Sequence, residues 1–209
     1  MSMSALVSEE MWERLYAPYD ASTYHAVLQH LQPQDVVLEI GAGELCFAGL
    51  AAPIVRQVIA IEINPVLIEH ALSHGPLPAN LHVVCADAQE WTFPIGITTG
   101  VLLMRHCTHF KIYANKLRQC GAARLITNAR WRLNVEVIEL HAPQRAYTDF
   151  RIGPYACQCG ATGFKPGPVE AITQELLDFP QEVFYCPQCK PELCSEPPST
   201  LPVIPTTGV

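Results

Sequence analysis

The chain has 209 residues, of which 49% are hydrophobic and 16% charged, and its net charge is −7. This composition predicts one ordinary domain with a well-filled core and a small appendage. The acidic balance argues against a broad nucleic-acid surface, since neutralising phosphates requires clustered Lys and Arg. No apolar run approaches the roughly 18 residues of a membrane span. The N-terminus also lacks the basic flank and apolar segment of a secretory signal, so we expect a cytoplasmic protein without membrane contact.

Residues 1–34 are predicted to form an N-terminal helical cap. Within it, residues 8–31 form two helical segments, divided at residues 17–20 by a proline. The apolar side chains of the second segment recur at helical spacing, at Tyr24, Val27, Leu28 and Leu31.

Strands and helices alternate from residue 35 onwards. The predicted strands are 35–40, 57–62, 81–85, 99–104 and 122–128, and the predicted helices are 45–55, 65–74 and 108–119. A sixth strand at 134–140 is expected to run antiparallel. Repeating βα units favour a mostly parallel sheet with right-handed crossovers, so residues 35–153 should form a three-layer α/β domain of Rossmann-like type.

A glycine turn follows the first strand. The strand ends around Glu39, and residues 41–43 read Gly-Ala-Gly. Glycine accepts backbone angles that side chains forbid, so this turn should place free N–H groups beside a ligand. The next two strands also meet carboxylates, at Glu62 and Asp87, and the carboxyl ends of parallel strands are where such sheets bind ligands. On glycines alone the signal is weak, because Cys46 replaces the third glycine of the dinucleotide fingerprint.

Three segments together resemble a known family. Glu39-Ile40-Gly41-Ala42-Gly43, Glu62-Ile63-Asn64-Pro65 and Cys85-Ala86-Asp87-Ala88 are similar, in order and spacing, to the first three motifs of class I S-adenosylmethionine-dependent methyltransferases. The amino-acid sequences of these segments are most similar to the rRNA adenine dimethyltransferase branch, and the resemblance covers roughly residues 20–140. It implies a Rossmann-like methyltransferase fold, S-adenosylmethionine as cofactor and methyl transfer as the activity.

The resemblance also implies roles for individual residues. The glycine turn would pass under the methionine part of the cofactor, and Glu39 would orient the turn or the ligand's amino group. Glu62 would hold the ribose and Asp87 would face the adenine amino group. The N-terminal helices of such enzymes often fold over the cofactor, so tyrosines there either wall the pocket or only pack on the sheet. The implied cofactor-binding residues are Glu39, Gly41, Ala42, Gly43, Glu62, Ile63, Asp87, Ala88, Tyr16 and Tyr24.

Two departures from the family pattern matter. Leu45 stands where many members carry a third glycine. The fourth motif of the adenine enzymes, Asn or Asp followed by Pro-Pro-Tyr, is absent, and residues 101–110 read Val-Leu-Leu-Met-Arg-His-Cys-Thr-His-Phe instead. The adenine-methylating activity therefore does not carry over, and the methyl acceptor stays open among protein, small molecule and RNA.

Candidate catalytic residues follow the fourth strand. Methyl transfer from a sulfonium mainly requires alignment and exclusion of water, and a base only where the acceptor must lose a proton. His106 could be that base and Arg105 could hold an acidic substrate group, or both could simply cap the following helix. Asn128, Arg130 and Trp131, after the fifth strand, are candidates for the far wall of an acceptor site.

Residues 154–194 contain two cysteine pairs, Cys157-x-Cys159 and Cys186-x-x-Cys189. Nine cysteines in a cytoplasmic protein indicate metal ligands or buried thiols rather than disulfides. Two pairs on two turns predict a structural Cys₄ zinc site of the zinc-ribbon type, with unligated thiols or a redox pair as the alternatives.

Three further interpretations concern other segments. Lys111, Lys116 and Arg118 share one predicted helix; this spacing is typical of a solvated helix face and leaves a local basic patch open. A helix is predicted at 169–177. Residues 195–209 are expected to be a disordered tail.

Two functions compete with a methyltransferase. The protein could bind its cofactor without catalysis and act through the zinc element as an interaction module. It could also be an NAD-dependent oxidoreductase, since Glu62 suits the ribose of NAD; against this, the last glycine of the fingerprint is missing and Glu39 precedes the turn.

Overall fold

The computed structural model describes residues 21–105, 107–143 and 145–189. Contacts between Cα atoms divide the chain into two compact units, Met1–Pro143 and Gln144–Val209. The boundary expected from the sequence, between residues 153 and 154, falls inside the second unit. The predicted tail and the helical segment before residue 21 lie outside the described residues. Within the described part of the chain, no helix combines the length and the apolar character that crossing a membrane requires.

The described residues of the first unit form an α/β domain. Its strands are β1 Val36–Ile40, β2 Gln57–Glu62, β3 Leu81–Cys85, β4 Thr99–Leu102, β5 Arg124–Thr127 and β6 Glu136–Glu139. Its helices are α1 Ala21–Leu28, α2 Cys46–Ala51, α3 Pro65–Ser73 and α4 Phe110–Gln119, with a 3₁₀ turn at Trp131–Leu133. The sheet has the order β3-β2-β1-β4-β5-β6, in which β1 to β5 are parallel and β6 is antiparallel to β5. This confirms the predicted mostly parallel, Rossmann-like sheet.

Two apolar clusters cover the two faces of this sheet. Successive side chains of a strand point to opposite faces, so Val37 joins the cluster with α1 and α2, while Leu38 joins the cluster with α4. Leu125 and Ile126 of β5 divide between the two clusters in the same way. Near-continuous apolar strands of this kind are buried on both faces. The first unit is therefore a three-layer α/β/α structure.

The second unit is a small β structure. Its three-stranded sheet has the order β8-β7-β9, with β7 antiparallel to β8 and parallel to β9. The strands are β7 Gly153–Cys157, β8 Thr162–Lys165 and β9 Gln181–Val183; 3₁₀ turns lie at Tyr147–Asp149 and Val169–Ala171, and helix α5 spans Gln174–Asp178.

The single helix predicted at 169–177 is wrong, because the chain becomes extended at Thr173. The Thr173 hydroxyl accepts a hydrogen bond from the Leu176 N–H and so caps a new helix. Threonine is favoured at this position because its side-chain oxygen satisfies one of the free N–H groups at a helix start. The capping residue Thr173 therefore separates a 3₁₀ turn from a helix, where the apolar spacing predicted one continuous helix.

A buried polar network joins three strands at the amino end of the first unit's sheet. Asp35 is 4% exposed and precedes β1. Its carboxylate accepts hydrogen bonds from the Gln32 N–H at 2.8 Å, the Thr98 hydroxyl at 2.7 Å and the Thr99 hydroxyl at 3.1 Å. Arg124 of β5 completes the set with a 2.8 Å ion pair. A buried charge is stable only when it is paired in this way.

We expect Asp35→Ala to lower the free energy of unfolding by about 3 kcal/mol, because it removes the carboxylate that accepts from a mostly buried guanidinium and three further donors. Chemical denaturation followed by fluorescence measures the change. Glu69→Ala, an exposed carboxylate on α3, is the control and should change the free energy by less than about 0.5 kcal/mol. Equal effects of the two substitutions would show that the network does not stabilise the sheet.

Candidate functional site

A cleft of about 600 Å³ opens at the carboxyl ends of β1 to β4. Residues that follow each of these strands line it, as expected where the strand order reverses between β1 and β4. Of the residues implied as cofactor-binding or catalytic, the cleft is lined by Tyr24, Glu39, Gly41, Ala42, Gly43, Glu62, Ile63, Asp87, Ala88 and Arg105. Tyr16 and His106 lie outside the described residues, so their predicted roles stay predictions.

The glycine turn lies under the cleft in a left-handed conformation. Gly41, Gly43 and Leu45 have φ angles of 73°, 54° and 62°. Leu45 therefore adopts the backbone of the glycine it replaces, at a cost of roughly 1–2 kcal/mol, and its side chain is buried.

The expectation of free N–H groups in the turn is wrong. The Gly41 and Ala42 N–H groups both donate to the Ile61 carbonyl at 2.9 Å. The Gly43 N–H donates to Glu62 Oε2 at 2.8 Å. Sequence alone could not show this, because the acceptors come from the neighbouring strand. The turn is therefore fixed by β2 before any ligand binds.

Glu62 ends β2 with its carboxylate held on both sides. Oε2 accepts from Gly43, and Oε1 accepts from the Asn64 N–H at 2.8 Å. The side chain of Asn64 caps α3 by accepting from the Val66 N–H. Each carboxylate oxygen can accept two hydrogen bonds, so the contacts of the described residues leave Glu62 one acceptor position on each oxygen. A pair of neighbouring hydroxyls is the ligand group that matches this arrangement.

Glu39 is the most strongly perturbed acid of the cleft. Its pKa is raised from 4.5 to about 8, mainly by burial and secondly by the nearby Glu62 carboxylate, while a hydrogen bond from the Ala48 backbone partly opposes both effects. Its Oε2 atom is buried and has no hydrogen-bond partner among the described residues. Such an atom is costly unless a donor reaches it, so a cationic donor entering the cleft would be favoured there.

The segment after β3 forms another wall of the cleft. Asp87 organises it: its side chain accepts from the Gln89 N–H at 2.8 Å, and its carbonyl accepts from the N–H groups of Glu90 and Trp91. Tyr113 of α4 also lines the cleft, and burial raises the pKa of its phenol, with smaller contributions from Cys107 and Asp87. The sequence motifs do not single out Tyr113, because only the packing of α4 against the sheet brings it to the cleft.

The cleft also contains residues from the end of β4. Leu103 and Met104 line it, and a Cβ atom added to Gly41 would lie 2.9 Å from the Met104 methyl carbon. Met104 therefore packs directly on the glycine turn. Sequence analysis did not identify this residue, because only the parallel pairing of β1 with β4 brings it beside the glycine turn.

The three residues proposed for a far wall, Asn128, Arg130 and Trp131, do not line this cleft. Arg130 forms a bidentate pair with Glu136, at 3.1 and 3.0 Å, and its guanidinium lies 4.9 Å from the centre of the Phe110 ring. Asn128 is fully buried, and neither polar atom of its amide has a partner within the described ranges. The pairing of Arg130 gives it a structural role.

The second unit brings the four predicted cysteines together. The Sγ atoms of Cys157, Cys159, Cys186 and Cys189 all lie within 4.8 Å of one another. Three of the pairs are separated by 3.6, 3.8 and 3.8 Å. Tetrahedral Zn²⁺ with Zn–S bonds of about 2.3 Å places its sulfurs about 3.8 Å apart. The donor set and its spacing therefore fit a four-coordinate zinc ion.

The backbone explains why the cysteines converge. Cys157 ends β7, and the turn after it closes with a hydrogen bond from the Gly160 N–H to the Cys157 carbonyl. The turn after β9 closes in the same way, from the Cys189 N–H to the Cys186 carbonyl. Because β7 and β9 are parallel neighbours, their following turns meet at one end of the sheet.

We expect the pKa of Glu39 to make the free energy of unfolding depend on pH. Its folded value of about 8 lies above the unfolded value of 4.5. The folded state therefore binds the extra proton, and stability falls as pH rises between these values, by about 1.4 kcal/mol per pH unit. Denaturation of the wild type and Glu39→Gln across this range isolates the effect. Parallel curves would contradict it.

Comparison with known proteins gives the family. The family described as ribosomal RNA adenine dimethylase matches residues 18–123. Probable ribosomal RNA small subunit methyltransferase A of Methanosarcina barkeri is 41% identical over 64 residues, which are 31% of this chain and 22% of that protein. The protein with the same name from Methanosarcina acetivorans is 35% identical over 68 residues, 32% and 25% of the two chains.

Among solved structures, a dimethyladenosine transferase from Plasmodium falciparum has a TM-score of 0.45 and 21% identity, and the match covers 52% of this chain and 41% of that one. The matched part spans about a quarter of the length of the curated relatives. The family match covers the three motifs and half of the chain, and confirms the resemblance drawn from them. The chain belongs to the ribosomal RNA adenine dimethylase family.

Proposed function

We propose that the cleft binds S-adenosylmethionine and that the protein is a methyltransferase. The observation that carries the proposal is the Glu62 carboxylate, held at the cleft by two backbone N–H groups. In the part of the chain that the structure describes, these contacts leave one acceptor position on each oxygen. This arrangement suits the two hydroxyls of a ribose. Family membership supports the same conclusion.

The other cleft residues fit the remaining parts of this cofactor. Glu39 Oε2, buried without a partner among the described residues, would accept from the amino group of the methionine part. Asp87 and Ala88 would face the adenine, with Tyr113 beside them. Tyr24 and Ile63 would cover the nucleoside from the open side. These assignments use the residues that the family motifs single out, together with Tyr113.

The bound sulfonium would supply a methyl group whose leaving group is already activated by charge. The chain's own residues then have to orient the donor, align the acceptor and exclude water. Leu103 and Met104 give the end of β4 an apolar lining that suits the exclusion of water. Arg105, which also lines the cleft, and His106 remain the candidates for holding or deprotonating the acceptor.

The acceptor is an open part of the proposal. The relatives' names refer to ribosomal RNA, which makes RNA the first acceptor class to test. The chain carries Leu103-Met104-Arg105 where the adenine enzymes carry their fourth motif, and its net charge is −7. We propose that the accepted group differs from the adenine amine. Labelled methyl transfer to total RNA and to protein, followed by nuclease or protease digestion, distinguishes the classes.

We expect S-adenosylhomocysteine at about 100 times its dissociation constant to stabilise the protein by roughly 2.7 kcal/mol. For a chain of this size the thermal midpoint should rise by about 5–10 °C. Glu62→Gln should weaken binding at least about tenfold, because it removes the charge from two hydrogen-bonding oxygens. The control Glu69→Gln, outside the cleft, should bind as the wild type does.

The same measurement with NADH separates the alternatives. A shift with NADH and none with S-adenosylhomocysteine would replace the methyltransferase by an oxidoreductase. Binding of S-adenosylhomocysteine without methyl transfer to any fraction of cell extract would favour a cofactor-binding protein that acts through its zinc element. The absence of the fourth motif is the observation that keeps this alternative in view.

We also propose that Cys157, Cys159, Cys186 and Cys189 hold a structural Zn²⁺. Support comes from the sulfur–sulfur separations of the four side chains. Four thiolates leave no position for water, so the metal would stabilise the second unit rather than act on a substrate. Four reduced cysteines also suit the cytoplasmic location expected from the sequence.

We expect one zinc ion per chain by elemental analysis of the purified protein. Cys159→Ser should abolish binding and lower the stability of the second unit, because metal affinity adds directly to folding. The control Cys85→Ser replaces an exposed thiol on β3 and should keep the metal. Cobalt substitution gives a second signal, a thiolate charge-transfer band. Equal zinc content in both variants would overturn the assignment.

A further inference from the structure

Lys116 on α4 makes a contact that its position in the sequence did not suggest. Its Nζ atom donates hydrogen bonds to the carbonyls of Ala88, Gln89 and Trp91, each at 2.7 Å. An ammonium has three N–H donors, so all of them are used by one short segment of backbone. The expectation of a solvated helix face is therefore wrong for this residue.

The surroundings of the ammonium strengthen this contact. Nζ lies 4.7 Å from the centre of the Phe93 ring, within the range of a cation–π interaction. Burial lowers the pKa of Lys116, and the nearby carboxylates of Glu90 and Asp87 oppose this effect. Three carbonyl oxygens and a ring face thus converge on one charge that is partly removed from water. The other basic residue of this turn, Arg118, binds the Leu140 carbonyl instead.

The segment that Lys116 binds is a wall of the cleft. Ala86, Asp87, Ala88 and Gln89 line the cleft, whereas Lys116 itself does not. One end of the segment is fixed by the Ala86 N–H, which donates to the Glu62 carbonyl, and its turn is held by Asp87. These bonds use backbone N–H groups of the segment, whereas Lys116 binds its backbone carbonyls. Two independent sets of hydrogen bonds therefore fix the path of the wall.

We propose that Lys116 is a positioning residue for recognition of the adenosine part of the ligand; this rests on the proposed function of the cleft. It acts through the backbone of Ala88 and Gln89, whose position decides where the Asp87 carboxylate meets an adenine amino group. The three N–H bonds of an ammonium diverge to three separate carbonyls. A planar guanidinium directs its donors in one plane, so arginine does not replace it.

The test compares Lys116→Met with Lys111→Met. Both remove a lysine from α4 and keep side-chain length, but only Lys116 contacts the wall. Isothermal titration is performed with S-adenosylhomocysteine and with 5′-deoxy-5′-methylthioadenosine, which lacks the amino-acid part. We expect Lys116→Met to weaken both ligands about tenfold and Lys111→Met to change neither by more than about twofold. Lys116→Arg should resemble Lys116→Met.

Glu39→Gln supplies the opposite pattern. In the proposed binding mode Glu39 faces the amino-acid end of the ligand. The substitution should therefore weaken the binding of S-adenosylhomocysteine and leave the binding of methylthioadenosine unchanged. A spectroscopic signal that needs no ligand is the fluorescence of Trp91, whose carbonyl binds Lys116. With Trp12→Phe and Trp131→Phe as background, Lys116→Met should shift this emission and Lys111→Met should not.

The outcomes separate the two proposals. If the wild type binds neither ligand, the function proposed for the cleft fails, and this inference with it. If the wild type binds both ligands and folded Lys116→Met binds them with unchanged affinity, the proposed function stands and the positioning role is wrong, even where the thermal midpoint has fallen. Loss of only S-adenosylhomocysteine binding in Lys116→Met would also overturn the inference.

Discussion

The carboxyl end of β2 is the constraint on which the rest of the site depends. The Ile61 carbonyl holds two N–H groups of the glycine turn, and the Glu62 side chain holds the third. The Glu62 backbone carbonyl holds Ala86, at the start of the wall that follows β3. Two consecutive residues thus fix the segments that follow β1 and β3, as well as the start of α3. The site is preorganised by hydrogen bonds that exist without a ligand, which reduces the ordering that binding would require.

This arrangement places two carboxylates close together at the floor of one cleft. Among the described residues, Glu62 has backbone donors for both oxygens, whereas Oε2 of Glu39 has no partner and the pKa of Glu39 is raised to about 8. Buried like charges disfavour the ionised form of at least one partner. Ionising Glu39 beside Glu62 therefore costs free energy, which a cation in the cleft would offset. S-adenosylmethionine carries such charges in its sulfonium and amino groups, which makes the electrostatics of the empty protein complementary to its proposed cofactor.

Much of the fold was predictable from sequence, because apolar strands alternate with helices. One side of the cleft was predictable as well, because acidic residues stand at the strand ends. Glu39, Glu62 and Asp87 lie at or just beyond the carboxyl ends of β1, β2 and β3, so parallel pairing alone brings them to one edge. The cysteine pairs were predictable for a similar local reason. Met104, Tyr113 and Lys116 were not, because each acquires its neighbours only when separate elements pack. Lys116 in particular has the spacing of a surface residue, and only the path of residues 88–91 shows what it binds.

The parallel pairing of β7 with β9 has a consequence for where this chain can vary in length. Parallel neighbours need a long connection, and here that connection is β8, a 3₁₀ turn and α5. The turn with Cys157 and Cys159 lies at its start, whereas the turn with Cys186 and Cys189 follows β9, so a bound metal would close a loop that contains this connection and β9. The entropy of closing a loop grows only with the logarithm of its length, by about 0.6 kcal/mol for each doubling. The connection from β8 to β9 lies inside this loop and is thus the part of the second unit where insertions cost least, and where new surface can be added without disturbing the strands.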